Sequence, residues 1–144
     1  MHKDFYASGF LYHPRTQQIL LQKETQADSS TTWVLPCIKS LKNETEKQAF
    51  KRLVHVLFSL NIDINSIFSV YDYYHEGLKK NNYIFFVKVK KAEKYNDEND
   101  SYCWFFLGEI LKHKLSPQTK QDITVMQRVI DSSIRKLNGE KFIE

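Results

Sequence analysis

A chain of 144 residues is the size of a single domain and long enough to bury a real core. Its 42% hydrophobic and 26% charged residues are ordinary for a soluble globular protein, and its 4 glycines leave no glycine-rich phosphate loop. A net charge of +4 permits an acidic partner without demanding one.

The N-terminal MHKDFYASGF lacks the long apolar run of a signal peptide, and no later run is long enough to span a bilayer. The expectation is a cytoplasmic protein with no membrane span. No repeat and no Pro- or Ser-rich linker interrupts the chain, so residues 1–144 read as one domain. Residues 5–12 (FYASGFLY) and 18–24 (QILLQKE) read as paired strands, joined by a turn in which Pro14 presets φ. Polar residues 25–32 form a loop. Trp33-Val34-Leu35-Pro36 reads as a short apolar strand ended by its proline.

A helix is expected over residues 44–60, with Asn43 as N-cap and Glu46 as its capping-box partner. Residues 66–75 and 83–91 are rich in aromatic and β-branched side chains and read as a long hairpin with a loop from Gly77 to Asn82. A charged loop over 92–100 precedes a strand from Tyr102 to Leu107 and a short helical turn near Gly108–Lys114. Ser116-Pro117 opens the last helix. Ile123, Met126, Ile130, Ile134 and Leu137 recur on one face of it, and Gly139 supplies a stop. The order of elements suggests a mixed sheet with a helix on each face. Cys37 and Cys103 lie in different segments with no Cys/His ligand spacing. That argues against zinc and for two reduced, buried thiols.

Five segments in this order resemble the Nudix superfamily. Ala7-Ser8-Gly9-Phe10-Leu11-Tyr12 and Ile19-Leu20-Leu21-Gln22-Lys23 are similar to its opening strands, and Trp33-Val34-Leu35-Pro36 to the W-x-L-P before its signature. Tyr83-Ile84-Phe85-Phe86-Val87 is similar to the strand after its helix, and Trp104-Phe105-Phe106-Leu107-Gly108-Glu109-Ile110 to its W-F-x-L-x-E-L. The resemblance implies an α+β chain built as an α/β/α sandwich, with a central mixed sheet and two main helices. It also implies hydrolysis of nucleoside diphosphates linked to another moiety, with magnesium holding the phosphates and helping to activate water.

The signature, G-x5-E-x7-R-E-U-x-E-E-x-G-U with U apolar, is met only in part. Glu44 and Arg52 match, but Ile38 and Ser59 replace the glycines, and Leu53, Val56 and Leu57 replace the three glutamates. Residues 47–62 contain no acid, so sliding the helix restores none. Hydrocarbon side chains offer a hard cation no donor atom. The expectation is a pseudoenzyme: a domain with no catalytic residue and no metal or cofactor that binds a nucleotide or another phosphorylated small molecule, or serves as an interaction module. Its candidate ligand-binding residues are Lys39, Lys42, Glu44, Arg52 and Glu76. The alternative is an active, magnesium-dependent hydrolase whose ligands have moved, with Glu76 or Glu109 converging beside Glu44.

On a helical wheel Ala49, Leu53, Val56, Leu57 and Leu60 fall on one stripe, beside Phe50, Val54 and Phe58. The resulting apolar arc of about 200° is wider than a surface helix needs. It calls for cover by the chain's own loops, including 25–32, or by a second subunit in a homodimer. Lys79, Lys80, Lys88, Lys90, Lys91 and Lys94 concentrate positive charge around the hairpin. They read either as edge protection or as a patch for RNA, with nearby tyrosines as stacking surfaces. His55 and His75 have no visible catalytic partner, and Trp33 and Trp104 read as core or pocket wall.

Overall fold

The computed structural model describes residues 4–25, 30–91, 93 and 101–143, with side chains through residue 132. Strands β1 (Phe5–His13), β2 (Gln18–Thr25), β3 (Thr31–Val34) and β4 (Cys37–Lys39) precede helix α1 (Glu46–Phe58). Strands β5 (Ile67–His75), β6 (Lys80–Lys88) and β7 (Tyr102–Phe106) follow, and helix α2 (Pro117–Ile143) closes the chain. The sheet runs β3-β2-β1-β6-β5, with β4 paired to β1 and β7 to β2. It is mixed because β1 and β6 run parallel while the other pairs run antiparallel. The charged loop expected over 92–100 lies outside the described residues, apart from residue 93.

Alternation along β1 divides the core. Phe5, Ala7 and Leu11 face α1 and pack with Phe50, Leu53, Val54 and Phe85. Phe10 and Tyr12 face the other way and pack with Phe86, Phe105, Ile123 and Met126, the last two on α2. Each helix thus covers one face of the sheet. Between Ala7 and Leu11, a Cβ on Gly9 would run into the Phe85 carbonyl and the Phe50 ring. Glycine at this position lets α1 lie close to β1.

Several local expectations are corrected. The N-cap of α1 is Thr45, not Asn43. Thr45 Oγ1 accepts from Gln48 N–H at 3.2 Å, and Gln48 Oε1 accepts from Thr45 N–H at 2.8 Å. Asn43 takes φ of 65° in the preceding turn, where its short polar side chain tolerates the left-handed region. The helix ends at Phe58 because Ser59 turns left-handed, its N–H bonding His55 O. Strand β3 ends at Val34, just ahead of Pro36 as expected, and Cys37–Lys39 adds an unexpected strand, β4, paired with β1. Asn81 and Asn82 belong to β6, so the hairpin loop is shorter than expected. Helix α2 continues past Gly139 to Ile143, because a single glycine weakens a helix without breaking it. Ser116 caps α2 as expected, its Oγ accepting from Thr119 N–H at 3.2 Å.

Both cysteines are exposed rather than buried. In β4 the alternation turns Ile38 toward α1 and leaves Cys37 facing the cleft beneath α2, whereas Cys103 shares its face of β7 with buried Phe105 and is nonetheless exposed. The wide arc on α1 is also absorbed by the chain itself. Leu53 is fully in the core, and Leu57 and Leu60 pack half-buried against it. Of the stripe, Val56 is the exposed member, at 63%. A second copy docking there would find little apolar surface of that stripe to bury.

Candidate functional site

A cleft of about 370 Å³ opens between α2 and the sheet. Its walls come from the first half of β1 (Tyr6, Ser8), from β4 (Cys37, Ile38, Lys39), from the β5–β6 hairpin (Tyr73, His75, Leu78, Asn82) and from the first turns of α2 (Gln118, Thr119, Asp122). Here β1 pairs with three-residue β4 rather than with β2, and the sheet leaves room beneath α2.

A bulge aims the tyrosines. Pairing between β5 and β6 shifts register between Ser69 and Tyr71. Ile67 packs toward α1, yet Val70, Tyr71 and Tyr73 all pack toward α2. The extra residue reverses the alternation, so that Tyr71, Tyr73 and His75 face α2 while Asp72 lines a separate recess beside α1.

The floor is polar and hydrogen-bonded. Ser8 Oγ donates to Asn82 Oδ1 at 2.9 Å, and Asn82 Nδ2 donates to the Tyr73 hydroxyl at 3.0 Å. Asp122 Oδ1 accepts from the Tyr71 hydroxyl at 2.5 Å and from Gln118 Nε2 at 3.1 Å. Burial raises the Asp122 carboxyl above the usual carboxylate value, although the bonds from Tyr71 and Gln118 and the proximity of His75 pull it down. Burial, then the charge of Asp122, pushes Tyr73 up to about 12, and burial together with its hydrogen bond to Asp122 raises Tyr71 further. Both phenols therefore stay protonated at neutral pH. The Cys37 thiol is open to the cleft on one side, but the protein mass on its other sides raises it too.

At the rim, Lys39 Nζ lies 3.7 Å from Asp4 Oδ2, and Lys80 Nζ lies 3.8 Å from the same oxygen. Two lysines from distant parts of the chain thus meet at the end of β1. Behind Lys39, Arg52 donates to Glu44 and to the Lys39 carbonyl, the latter through Nη2 at 2.6 Å. Glu44 also accepts from the Leu41 N–H at 3.0 Å.

Of the five candidate residues, the structure brings Lys39, Glu44 and Arg52 together. Lys42 is exposed in the loop before α1, and Glu76 is exposed in the β5–β6 turn. Glu109 is exposed at the turn after β7. Among the described residues, no three His, Cys, Asp or Glu side chains group in a way that holds a metal ion. The basic hairpin residues form no continuous stripe. Lys79 and Lys80 sit at one end of β6 and Lys88 at the other, roughly 26 Å away at about 3.3 Å per residue. Lys88 also lies over the Phe68 ring, 4.8 Å from its centroid. His55 is exposed, whereas His75 lines the cleft and its Nδ1 accepts from Leu78 N–H at 3.1 Å. Trp33 packs on Phe105, and Trp104 Nε1 donates to Glu93 O at 2.8 Å.

The sequence reading missed Ser8, Asn82, Gln118 and Asp122. Asp122 carried a signal: it stands beside Ile123 and four residues before Met126, inside the apolar stripe of α2, where a carboxylate needs partners. Asn82 was hidden because it was assigned to a loop, although it alternates with Ile84 and Phe86 on one face of β6.

This arrangement of strands and helices is the Nudix fold. A mutT/nudix family protein from Listeria innocua superposes with a TM-score of 0.67 at 18% identity, covering 91% of this chain and 94% of that one. The C-terminal domain of mouse MUTYH, solved in complex with human PCNA, gives 0.66 at 12% identity, with 90% and 91% covered. The NUDIX domain of Shewanella oneidensis NrtR, solved with ADP ribose, gives 0.64 at 14% identity, with 88% and 86% covered. No family model and no curated protein matches the sequence. No helix among the described residues is long and apolar enough to cross a membrane.

Proposed function

We propose that this chain is a single cytoplasmic Nudix-fold domain that binds a nucleotide-like, phosphorylated small molecule in the cleft beneath α2 and does not carry out metal-dependent hydrolysis. The observation that carries the reading is the contrast between two faces of the molecule. Where the signature calls for three glutamates, Leu53 is buried in the core, Leu57 is half-buried and Val56 is bare hydrocarbon. The remaining carboxylate, Glu44, is bonded to Arg52 and Leu41 N–H. Magnesium needs several oxygen ligands in near-octahedral array, and this helix face supplies none. The cleft, by contrast, is open, has a hydrogen-bonding floor and carries lysines at its rim. Those are the features of a ligand site with few, well-placed polar groups.

In this reading the base and sugar enter under α2, and the phosphates lie against Lys39 and Lys80. Asp4, which now sits between those lysines, gives way. Its ion pairs are exposed and weak, so displacement costs little. That the NrtR domain was solved with ADP ribose supports a ligand of this class.

The test is calorimetric titration of the purified chain with ADP-ribose, beside an assay of magnesium-dependent turnover on a panel of nucleoside diphosphate derivatives. Binding without turnover supports the reading. Robust magnesium-stimulated hydrolysis overturns it in favour of relocated ligands. Absence of any binding across the panel moves the weight to a protein-interaction module.

A further inference from the structure

Asp4 stands where three strands meet. The register pairs Tyr6 with Lys39 across β1 and β4, and Phe5 with Asn81 across β1 and β6, which brings Lys80 alongside residue 4. Side chains two positions apart share a face of a strand, so Asp4 continues the line of Tyr6 and Ser8, and Lys80 that of Asn82. Tyr6, Ser8, Lys39 and Asn82 all line the cleft, so the two lysines meet Asp4 at its rim. Both ammonium groups approach one oxygen, Asp4 Oδ2, Lys39 at 3.7 Å and Lys80 at 3.8 Å. The side chains of Lys39, Asp4 and Lys80 are 54%, 41% and 30% exposed, so a dissolved anion has access to all three.

Two lysines held side by side repel each other unless an anion lies between them. Here the chain supplies that anion itself. A phosphate reaching the lysines replaces the carboxylate, and the displaced carboxylate stays tethered at the start of β1, ready to return. An intramolecular competitor acts at an effective concentration of roughly millimolar or higher, whatever the dilution of the protein. The apparent affinity for phosphate falls in proportion to the fraction of molecules in which the lysines are open. Each exposed ion pair is weak, but the two act on one carboxylate, and together they keep that fraction at about a third to a tenth.

We infer that Asp4 is a built-in competitor for the anion that Lys39 and Lys80 accept, its carboxylate holding the phosphate position at the cleft rim until a ligand displaces it. The inference rests on the ligand-binding reading above and adds to it the group that regulates the site. A carboxylate that served only to hold the lysines in position would act in the opposite direction, since its loss would loosen the site and weaken the ligand.

The experiment titrates the full chain calorimetrically with inorganic pyrophosphate and with ADP-ribose, beside Asp4→Asn, which keeps the side chain's shape and removes its charge. Asp4→Asn is expected to lower Kd for both ligands by about three- to tenfold. Asp4→Ser removes the carboxylate by a different route and should show the same gain, so the test stands if one of the two variants misfolds. Glu109→Gln makes the same change in net charge near the far end of β1, roughly 30 Å from Asp4 at about 3.3 Å per residue, and should leave both Kd values within about 1.5-fold. Kd values unchanged or raised by the Asp4 variants overturn the competition while ligand binding stands. An equal gain in Glu109→Gln overturns it as well, because net charge alone would then account for the effect. If wild type and variants bind neither ligand, both readings fall.

Discussion

Arg52 grips Glu44 from two sides, its Nε 2.9 Å from Oε2 and its Nη2 3.0 Å from Oε1. The two residues lie eight positions apart and hold each other. With the Lys39 carbonyl on Nη2, the pair ties the loop before α1 to the helix and to β4. The bidentate geometry and partial burial make it stronger than an ordinary surface ion pair. Its visible role is to fix Lys39 at the cleft rim.

Breaking the pair should therefore cost stability. Arg52→Ala and Glu44→Ala are each expected to lower unfolding free energy by about 1–3 kcal/mol, and the double variant by less than the sum. Urea titration of the four proteins gives the coupling. A strictly additive result would mean the two side chains do not interact in solution.

Placing acids on α1 separates fold from chemistry. Leu53 is 3% exposed and Val56 is 63% exposed. Leu53→Glu should destabilise by more than about 3 kcal/mol, since it buries a carboxylate without a partner. Val56→Glu should shift stability within about 0.5 kcal/mol. Thermal melts with and without magnesium check both, and magnesium should rescue neither. A Leu53→Glu protein as stable as wild type would mean that α1 can rotate its apolar face away from the sheet.

Gly9→Ala should destabilise by about 2 kcal/mol or more, because the added methyl meets the Phe85 carbonyl and the Phe50 ring. Phe50→Leu should recover part of the loss, since the ring is the movable partner. Denaturant midpoints for the two single variants and the double variant test this. No rescue would place the clash on the β6 backbone alone.

Asp122 should make the protein less stable as pH rises. Its carboxyl is raised in the folded state, so the native form binds the proton more tightly than the unfolded chain. Below the ordinary aspartate value of 3.8 the group is protonated in both states and contributes no penalty. Through the window above 3.8 and up to the raised folded value, stability falls, and beyond it the penalty is complete. Asp122→Asn is then expected to melt higher than wild type at neutral pH, with the gain fading toward pH 3. Tyr71 and Tyr73 stay protonated throughout, and repeating the series in a His75→Gln background removes the remaining titratable neighbour on β5. A gain that is independent of pH would show that the carboxylate is not the source.

Much of the fold was legible in the residues themselves. Alternation in β1, β2 and β6, the helical spacing of Ile123, Met126 and Ile130, and the Ser116-Pro117 start are local signals; β1, β2 and the start of α2 formed where these placed them, and β6 lies three residues earlier than expected. The ordered resemblance of five short segments carried the Nudix fold, which the superpositions bear out. The helix cap slipped by two residues because Asn43 and Thr45 are both good caps, and only the turn geometry chooses between them.

What the sequence alone determined is chemical inventory: Leu53, Val56 and Leu57 carry no oxygen on their side chains, and no rearrangement changes that. What only the tertiary structure decided is which side chains share a space. A one-residue bulge in β5 turns Tyr71 and Tyr73 toward α2. The short pairing of β4 with β1 opens room beside Ser8, and burial changes Asp122 from one acid among 17 Asp and Glu residues into the charged floor of a cleft. The reason is that a bulge or a change of pairing partner leaves composition and local period untouched, yet reverses which face of a strand meets its neighbour.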